Sequence, residues 1–342
     1  MNAVTYYAYD DIRLESRSLP AITDQELLVR VHGCGLCGSD IVKIVQQALP
    51  PVVLGHELTG TVVERGRAVS AFALGQRVIV AHHVPCGACH YCLHGSYSMC
   101  ASFKASNIDP CGFAEYIRVP APHVQHTTLA LPDSLSAEEG SFTEPLACCV
   151  RAVRRTPLLA GDSVVVMGLG SVGLLMMQAL KALADARVYG VDLLPERLKQ
   201  ARELGADGVL QASGDEEALR AALMSYTEGH GADAIIITAP GARPFTQAVA
   251  GVRKGGTVNL FAAHTGAVPL ELETLYQREI TIVSTYSSSP AELRIALDLL
   301  TSRRVRVDSL ISQRLPLERF HEGVTLMRER AALKVYFQIA GE

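Results

Sequence analysis

Ser163-Val-Val-Val-Met-Gly-Leu-Gly-Ser-Val-Gly173 is an apolar strand that breaks into a glycine turn and opens a helix. Gly168, Gly170 and Gly173 permit a tight turn, close approach of a pyrophosphate and close packing of helix on strand. The helix that begins at Ser171 and Val172 offers free N–H groups and a positive dipole end to phosphates. A second strand over 187–191 leads to Asp192, about twenty residues past the turn, where an acid meets a ribose. Its carboxylate accepts bonds from the 2′- and 3′-hydroxyls and repels a 2′-phosphate. At 4 Å and an effective dielectric of 20 that repulsion is about 4 kcal/mol. No basic residue follows at Leu193 or Leu194, so NAD is the expected dinucleotide. Arg197 either approaches the adenosine ribose or is a solvated helix residue.

Outward from this turn the style is strand, helix, strand. Helices are predicted over 172–183 and 195–204, with further strands over 234–237, 257–261 and 281–283. Such alternation specifies a doubly wound parallel sheet. The first 119 residues read differently, as short alternating strands (26–31, 59–64, 76–80) between Gly/Pro turns. That pattern makes a compact, mostly β, barrel-like unit. The tail carries one clear helix, over 291–301, and is too small for a domain of its own. Tyr286-Ser-Ser-Ser289 either lines a substrate cleft or is a plain surface loop. The strand over 281–283 would be a sheet edge, a place often covered by the same strand of a second copy, so a homodimer or homotetramer is expected.

At 342 residues the chain exceeds what one core usually serves, so two domains are expected, and 49% hydrophobic content suffices for both. No apolar run approaches a membrane span, and Met1–Tyr7 lacks the basic and apolar regions of a signal peptide. Nine cysteines without such a signal fit a reducing, cytoplasmic setting and metal ligation. A formal charge of −4 argues against nucleic acid as a partner.

Four of those cysteines form Cys86-x-x-Cys89-x-x-Cys92 followed by Cys100. Two-residue spacings let successive sulfurs converge on one ion, and the longer gap returns a fourth. Four thiolates with no open position make a structural zinc site. Gly87 and Gly95 loosen the backbone for that wrap. His82 and His83 precede this loop, but four sulfurs already complete the shell. Cys34, Cys111, Cys148 and Cys149 read as ordinary buried thiols.

A second set mixes ligand softness: Cys37-Gly-Ser39-Asp40, Gly55-His56-Glu57 and Phe142-Thr-Glu144-Pro-Leu. One thiolate, one imidazole and a carboxylate leave a position open, as catalytic zinc requires. The chain thereby resembles the zinc-dependent medium-chain dehydrogenase/reductase family over essentially its whole length, with the cysteine lobe, Gly-His-Glu, Glu-Pro-Leu, the glycine turn and Asp192 in the family's order. The pairing of Gly-His-Glu with Glu-Pro-Leu is similar to the polyol, threonine and sugar-alcohol-phosphate branch. The resemblance implies a GroES-like catalytic domain (1–147 and 285–342) and a Rossmann NAD-binding domain (148–284). It implies that Cys37, His56, Glu57 and Glu144 surround the catalytic zinc and that Cys86, Cys89, Cys92 and Cys100 hold the structural one. It also makes Ser39 the start of a proton relay.

The chain departs from the polyol and threonine members at Val42 and Lys43, where a relay histidine and an aromatic usually stand. Lys43 either faces the cleft to meet an anionic or strongly polar substrate group or is a solvated surface lysine. Zinc lowers the pKa of a bound water by about nine units, about 12 kcal/mol, and an alcohol should respond comparably. Glu57 and Glu144 are not expected to ligate together throughout turnover, because two carboxylates with one thiolate leave the centre at −1. The expected activity is hydride transfer from a secondary alcohol of a polyol, cyclitol or sugar-alcohol phosphate to NAD+, with two zinc ions per chain. The alternatives are threonine-type amino-alcohol oxidation and a non-catalytic, zinc-stabilised nucleotide-binding protein.

Overall fold

Ser163–Met167 is the centre of a six-stranded parallel sheet and is buried along its whole length, as a strand covered on both faces must be. The computed structural model describes residues 1–46, 51–212, 216–263 and 266–340. From one edge to the other the sheet runs Gly208–Gln211, Arg187–Asp192, Ser163–Met167, Ala232–Ile237, Val252–Leu260 and Thr281–Ser284. In chain order this is 3-2-1-4-5-6, with the reversal beside the first strand, where the glycine turn begins. Helix Ser171–Ala184 follows the turn and buries Leu174, Leu175, Met176 and Leu180. It ends at Asp185, whose left-handed conformation (φ 49°) is one that a short polar side chain tolerates. These strands and helices belong to a compact unit made of residues 148–287 and 304–306.

The other unit comprises residues 1–147, 288–303 and 307–342. Its main sheet is largely antiparallel, in the order Gln313–Pro316, Val335–Gln338, Leu27–Gly35, Glu57–Arg65, Arg77–Val80 and Thr128–Ala130, with Tyr116–Val119 also paired to Leu27–Gly35. Two registers decide the chemistry. Gly35 lies opposite Glu57 on one side and opposite Tyr336 on the other. Cys37 follows Gly35 by two residues and Lys334 precedes the last strand, so three remote stretches meet at one end of three neighbouring strands. Beneath them Phe113, Phe320 and Phe337 pack with ring centroids 4.8–5.5 Å apart.

Several expected elements are longer or differently bounded. The strand expected over 59–64 begins at Glu57, and the one expected over 257–261 extends back to Val252, with a register irregularity opposite Ala232 and Ala234. Residues 38–46, embedded in the stretch read as strands and turns, form a helix, Gly38–Gln46, that carries Ser39, Asp40 and Lys43. In the tail, Ser289 caps helix Pro290–Thr301 in a reciprocal capping box with Glu292.

Candidate active site

The cysteine loop folds over Cys86–Phe103 with three short helical turns and almost no apolar core of its own: Cys92, Cys100 and Phe103 are its buried residues. Gly87 and Gly95 take positive φ, 74° and 71°, where a Cβ would be strained. The four sulfurs lie within 4.8 Å of one another, with Cys89–Cys92 at 3.6 Å and Cys86–Cys92 at 4.0 Å. Disulfides would need about 2.05 Å, whereas bonds of about 2.3 Å to one tetrahedral ion set sulfurs about 3.8 Å apart. Backbone N–H groups of Cys86 and Cys89 already point at the sulfurs of Cys100 and Cys86. The Cys100 thiol is pushed down to about 6 although burial opposes it, because N–H and S–H donors favour its thiolate. The donor set and its spacing fit zinc, and a lobe this small depends on metal for its fold.

Cys37, His56 and Glu57 each offer a ligand atom within 4.8 Å of the others. One thiolate, one imidazole and one carboxylate gathered in a single cluster are a donor set that fits zinc. Asp40, fully buried, sets the geometry. Its carboxylate faces His56 Nδ1 at 3.4 Å and accepts the Cys37 N–H at 3.3 Å, leaving His56 Nε2 turned inward. Burial would lower the His56 pKa, but the charges of Asp40 and Cys37 hold it well above the ordinary value. Ser39 Oγ lies 3.3 Å from Cys37 Sγ, to which it donates, and 3.5 Å from His56 Nε2.

The two carboxylates are not equivalent. Glu57 forms a buried ion pair with Lys334, a residue absent from the sequence-derived site. Burial would lower the Lys334 pKa, yet Glu57 and Cys37 hold it above its ordinary value. A side chain at Gly35 would strike both partners, so the absence of a Cβ there makes their contact possible. Glu144, in the first turn of helix Thr143–Arg155, stands outside the close trio. Its pKa is pushed up to about 7, first by burial and then by the neighbouring charge of Glu57, against His56 and Lys334.

A cavity of about 230 Å³ opens beside His56. Lys43, His82, Asn107 and Cys111 contribute to its wall together with Val52 and Leu54. Lys43, given two readings from the sequence, is a half-buried residue in the cavity wall. Asn107 and His82 lie outside the ligand sets expected from the sequence, and Cys111, packed against the core, also borders the cavity. Burial and the neighbouring His56 push the His82 pKa well below the ordinary range.

In the parallel-sheet unit, Gly168 has φ 99° and a Cβ there would press on the backbone of Ala239, while one on Gly173 would collide with the Gly168 carbonyl. A Cβ on Gly170 would meet nothing within 4 Å, so the space above the turn is open. Asp192 takes the Leu169 N–H at 2.6 Å and the Leu194 N–H at 3.0 Å, one on each oxygen. It thereby braces the turn. Arg197 lies 3.8 Å from the same carboxylate and is mostly buried, which removes the solvated reading.

Residues 23–132 match the alcohol dehydrogenase GroES-like domain family, and residues 171–302 match the zinc-binding dehydrogenase family. The chain belongs to the zinc-containing medium-chain alcohol dehydrogenase family and is a zinc-dependent, NAD(P)-linked alcohol/polyol dehydrogenase. It is 33% identical to D-arabitol-phosphate dehydrogenase of Enterococcus avium, over 96% of this chain and 94% of that one. Sorbitol dehydrogenase of Bombyx mori is 29% identical over 98% of each. The crystal structure of galactitol-1-phosphate dehydrogenase from Escherichia coli superposes with a TM-score of 0.85 at 27% identity, covering 99% of this chain and 100% of that one.

Replacing Lys334 by Met leaves the Glu57 carboxylate buried without its cation, which should cost about 3–5 kcal/mol. Lys334→Arg should retain most of the stability in urea unfolding, and equal loss in both variants would contradict the pairing. Glu144 predicts a pH dependence of the metal-free protein. Its folded pKa of about 7 lies above the reference value of 4.5, so its contribution is full below 4.5 and is lost as pH rises through 7. Thermal unfolding of chelator-treated protein should therefore weaken over that window, and Glu144→Gln should flatten the slope.

Proposed function

We propose that this enzyme oxidises a secondary alcohol of a polyol, cyclitol or sugar-alcohol phosphate and delivers hydride to NAD+. The observation that carries the substrate reading is Lys43 in the cavity wall beside His56. An ammonium group there meets a phosphate or a cluster of hydroxyl oxygens, and an apolar alcohol would leave it unpaired. The names of the D-arabitol-phosphate and galactitol-1-phosphate dehydrogenases point the same way. NAD is favoured over NADP because Asp192 occupies the ribose position with no cation at Leu193 or Leu194 to accept a phosphate. In this reading residues 1–147 and 285–342 are catalytic and 148–284 bind the dinucleotide through Gly168, Gly170, Ser171, Val172, Gly173, Asp192 and Arg197.

Zinc held by Cys37, His56 and a carboxylate supplies the Lewis acidity that makes an alcohol proton acidic near neutral pH. Ser39 Oγ is the first proton acceptor, since it already lies between Cys37 and His56 and Val42 offers no titratable exit. Lys334 revises the charge count made from the sequence. With its ammonium included, the ion, one thiolate and two carboxylates sum to zero, so Glu57 and Glu144 can both remain ionised in a dry site. Glu57, tied to Lys334, is the reserve carboxylate, and Glu144 or water completes the shell. The second zinc sits on Cys86, Cys89, Cys92 and Cys100.

A homodimer or homotetramer fits the outer strand Thr281–Ser284, with Ile282 and Val283 half-buried, and helix Leu272–Arg278, where Leu272 and Tyr276 are 75% and 84% exposed one turn apart. Light scattering should give a multiple of the 36.7 kDa chain mass, and a monomer at micromolar concentration would refute it. A cytoplasmic setting accords with nine free cysteines.

The activity is tested by supplying polyols, their phosphates, cyclitols and threonine with NAD+ or NADP+ and following absorbance of the reduced cofactor. Turnover of a polyol or its phosphate with NAD+ is expected, with two zinc ions per chain by elemental analysis. Lys43→Ala should raise KM for a phosphorylated substrate by about tenfold or more, the worth of a charge-assisted bond, and change an unphosphorylated one by less than about threefold. Oxidation of threonine alone would sink the proposal.

A further inference from the structure

The cavity and the cysteine lobe share one continuous run of rings. The His56 and His82 rings have centroids 4.6 Å apart, His82 and His83 3.7 Å, and His83 and Phe103 4.7 Å. Phe103 is also the largest side chain in the small core that holds Cys92 and Cys100. The run therefore begins on a residue of the metal trio, passes through the cavity wall at His82 and ends among the sulfurs of the lobe.

His82 is tied to the fold unevenly. Its backbone carbonyl accepts a hydrogen bond from His123 Nε2 at 3.1 Å. Nδ1 of its ring is buried and has no hydrogen-bond partner among the described residues. The torsion that turns an imidazole is broad, so a ring not held by a hydrogen bond takes its angle from its packing. Here the packing is His56 on one side and His83 backed by Phe103 on the other. His82 brings to the cavity a hydrogen-bonding group that neither valine nor leucine in the same wall supplies.

We propose that the cysteine lobe sets the specificity of the cavity: Phe103 and His83 clamp the His82 imidazole so that it hydrogen-bonds a second hydroxyl of the substrate. His82 is then a specificity residue, and His83 and Phe103 are positioning residues that act through it. The four-cysteine zinc, by fixing the loop that carries Phe103, contributes to substrate choice as well as to folding. This inference rests on the polyol reading above.

The test compares KM and kcat for a polyol and for cyclohexanol, a monohydric secondary alcohol, in the zinc-loaded enzyme. His82→Phe should raise KM for the polyol by about three- to tenfold more than KM for cyclohexanol, the worth of one neutral hydrogen bond. Phe103→Leu and His83→Leu should raise polyol KM in the same selective way, with two zinc ions still bound per chain. His83→Phe keeps a ring in the stack and should restore the wild-type KM. Combining His82→Phe with Phe103→Leu should add nothing beyond His82→Phe alone, because both act at one ring. Should Phe103→Leu shed the lobe's zinc, the contrast between His83→Leu and His83→Phe decides. Equal losses on both substrates in the His83 variants, or an unchanged polyol KM in His82→Phe, overturn the inference while leaving the polyol activity standing. A wild-type enzyme that oxidises cyclohexanol and no polyol removes the polyol reading and this inference together.

Discussion

The buried pair of Lys334 and Glu57 is the constraint around which the largely antiparallel unit is arranged. A carboxylate so deep cannot stay ionised without a cation close by, and a lysine so deep cannot keep its proton without an anion. Satisfying both fixes the register of three strands, because Gly35 must lie between Glu57 and the entry to Val335–Gln338. The same register delivers Cys37 from the end of its strand and His56 from the residue before Glu57. Asp40 then locks the imidazole from helix Gly38–Gln46. Sheet geometry and metal chemistry are thus one problem with one solution.

Much of this was legible in the residues alone. The glycine turn and Asp192 announced the parallel sheet because phosphate binding, ribose binding and helix packing each demand a particular residue type at a particular interval. Four cysteines within fifteen positions announced a metal for a similar reason, since local spacing suffices to bring them together. Cys37, His56 and Glu57 were readable as ligand types, and the structure draws them into one cluster.

The rest depended on distances that no local pattern encodes. Lys334 opens an apolar strand and looks like an ordinary flanking charge, yet its partner is Glu57, far away in the chain. His82 looked like a bystander of the cysteine loop, because nothing in its neighbours reveals that its ring meets His56 and the cavity. Helix Gly38–Gln46 was hidden by its glycine start and by the strands around it, a case of tertiary packing overriding local propensity. The Lys334 ammonium also enters the charge balance of the site, a contribution that no residue near Cys37 or His56 in the chain reveals.

The two metal centres differ in how they can be assembled. All four sulfurs of the lobe lie within one short loop, so that site can capture its ion as soon as the loop exists. The mixed-ligand site has to wait for Lys334, which lies beyond the whole parallel-sheet unit in the chain. Until that last strand docks on Leu27–Gly35, Glu57 faces its neighbours uncompensated and stays open to water or a misplaced ion. Capture of an ion at the lobe is thus a local event, whereas closing the mixed-ligand site requires contacts between remote stretches of the chain.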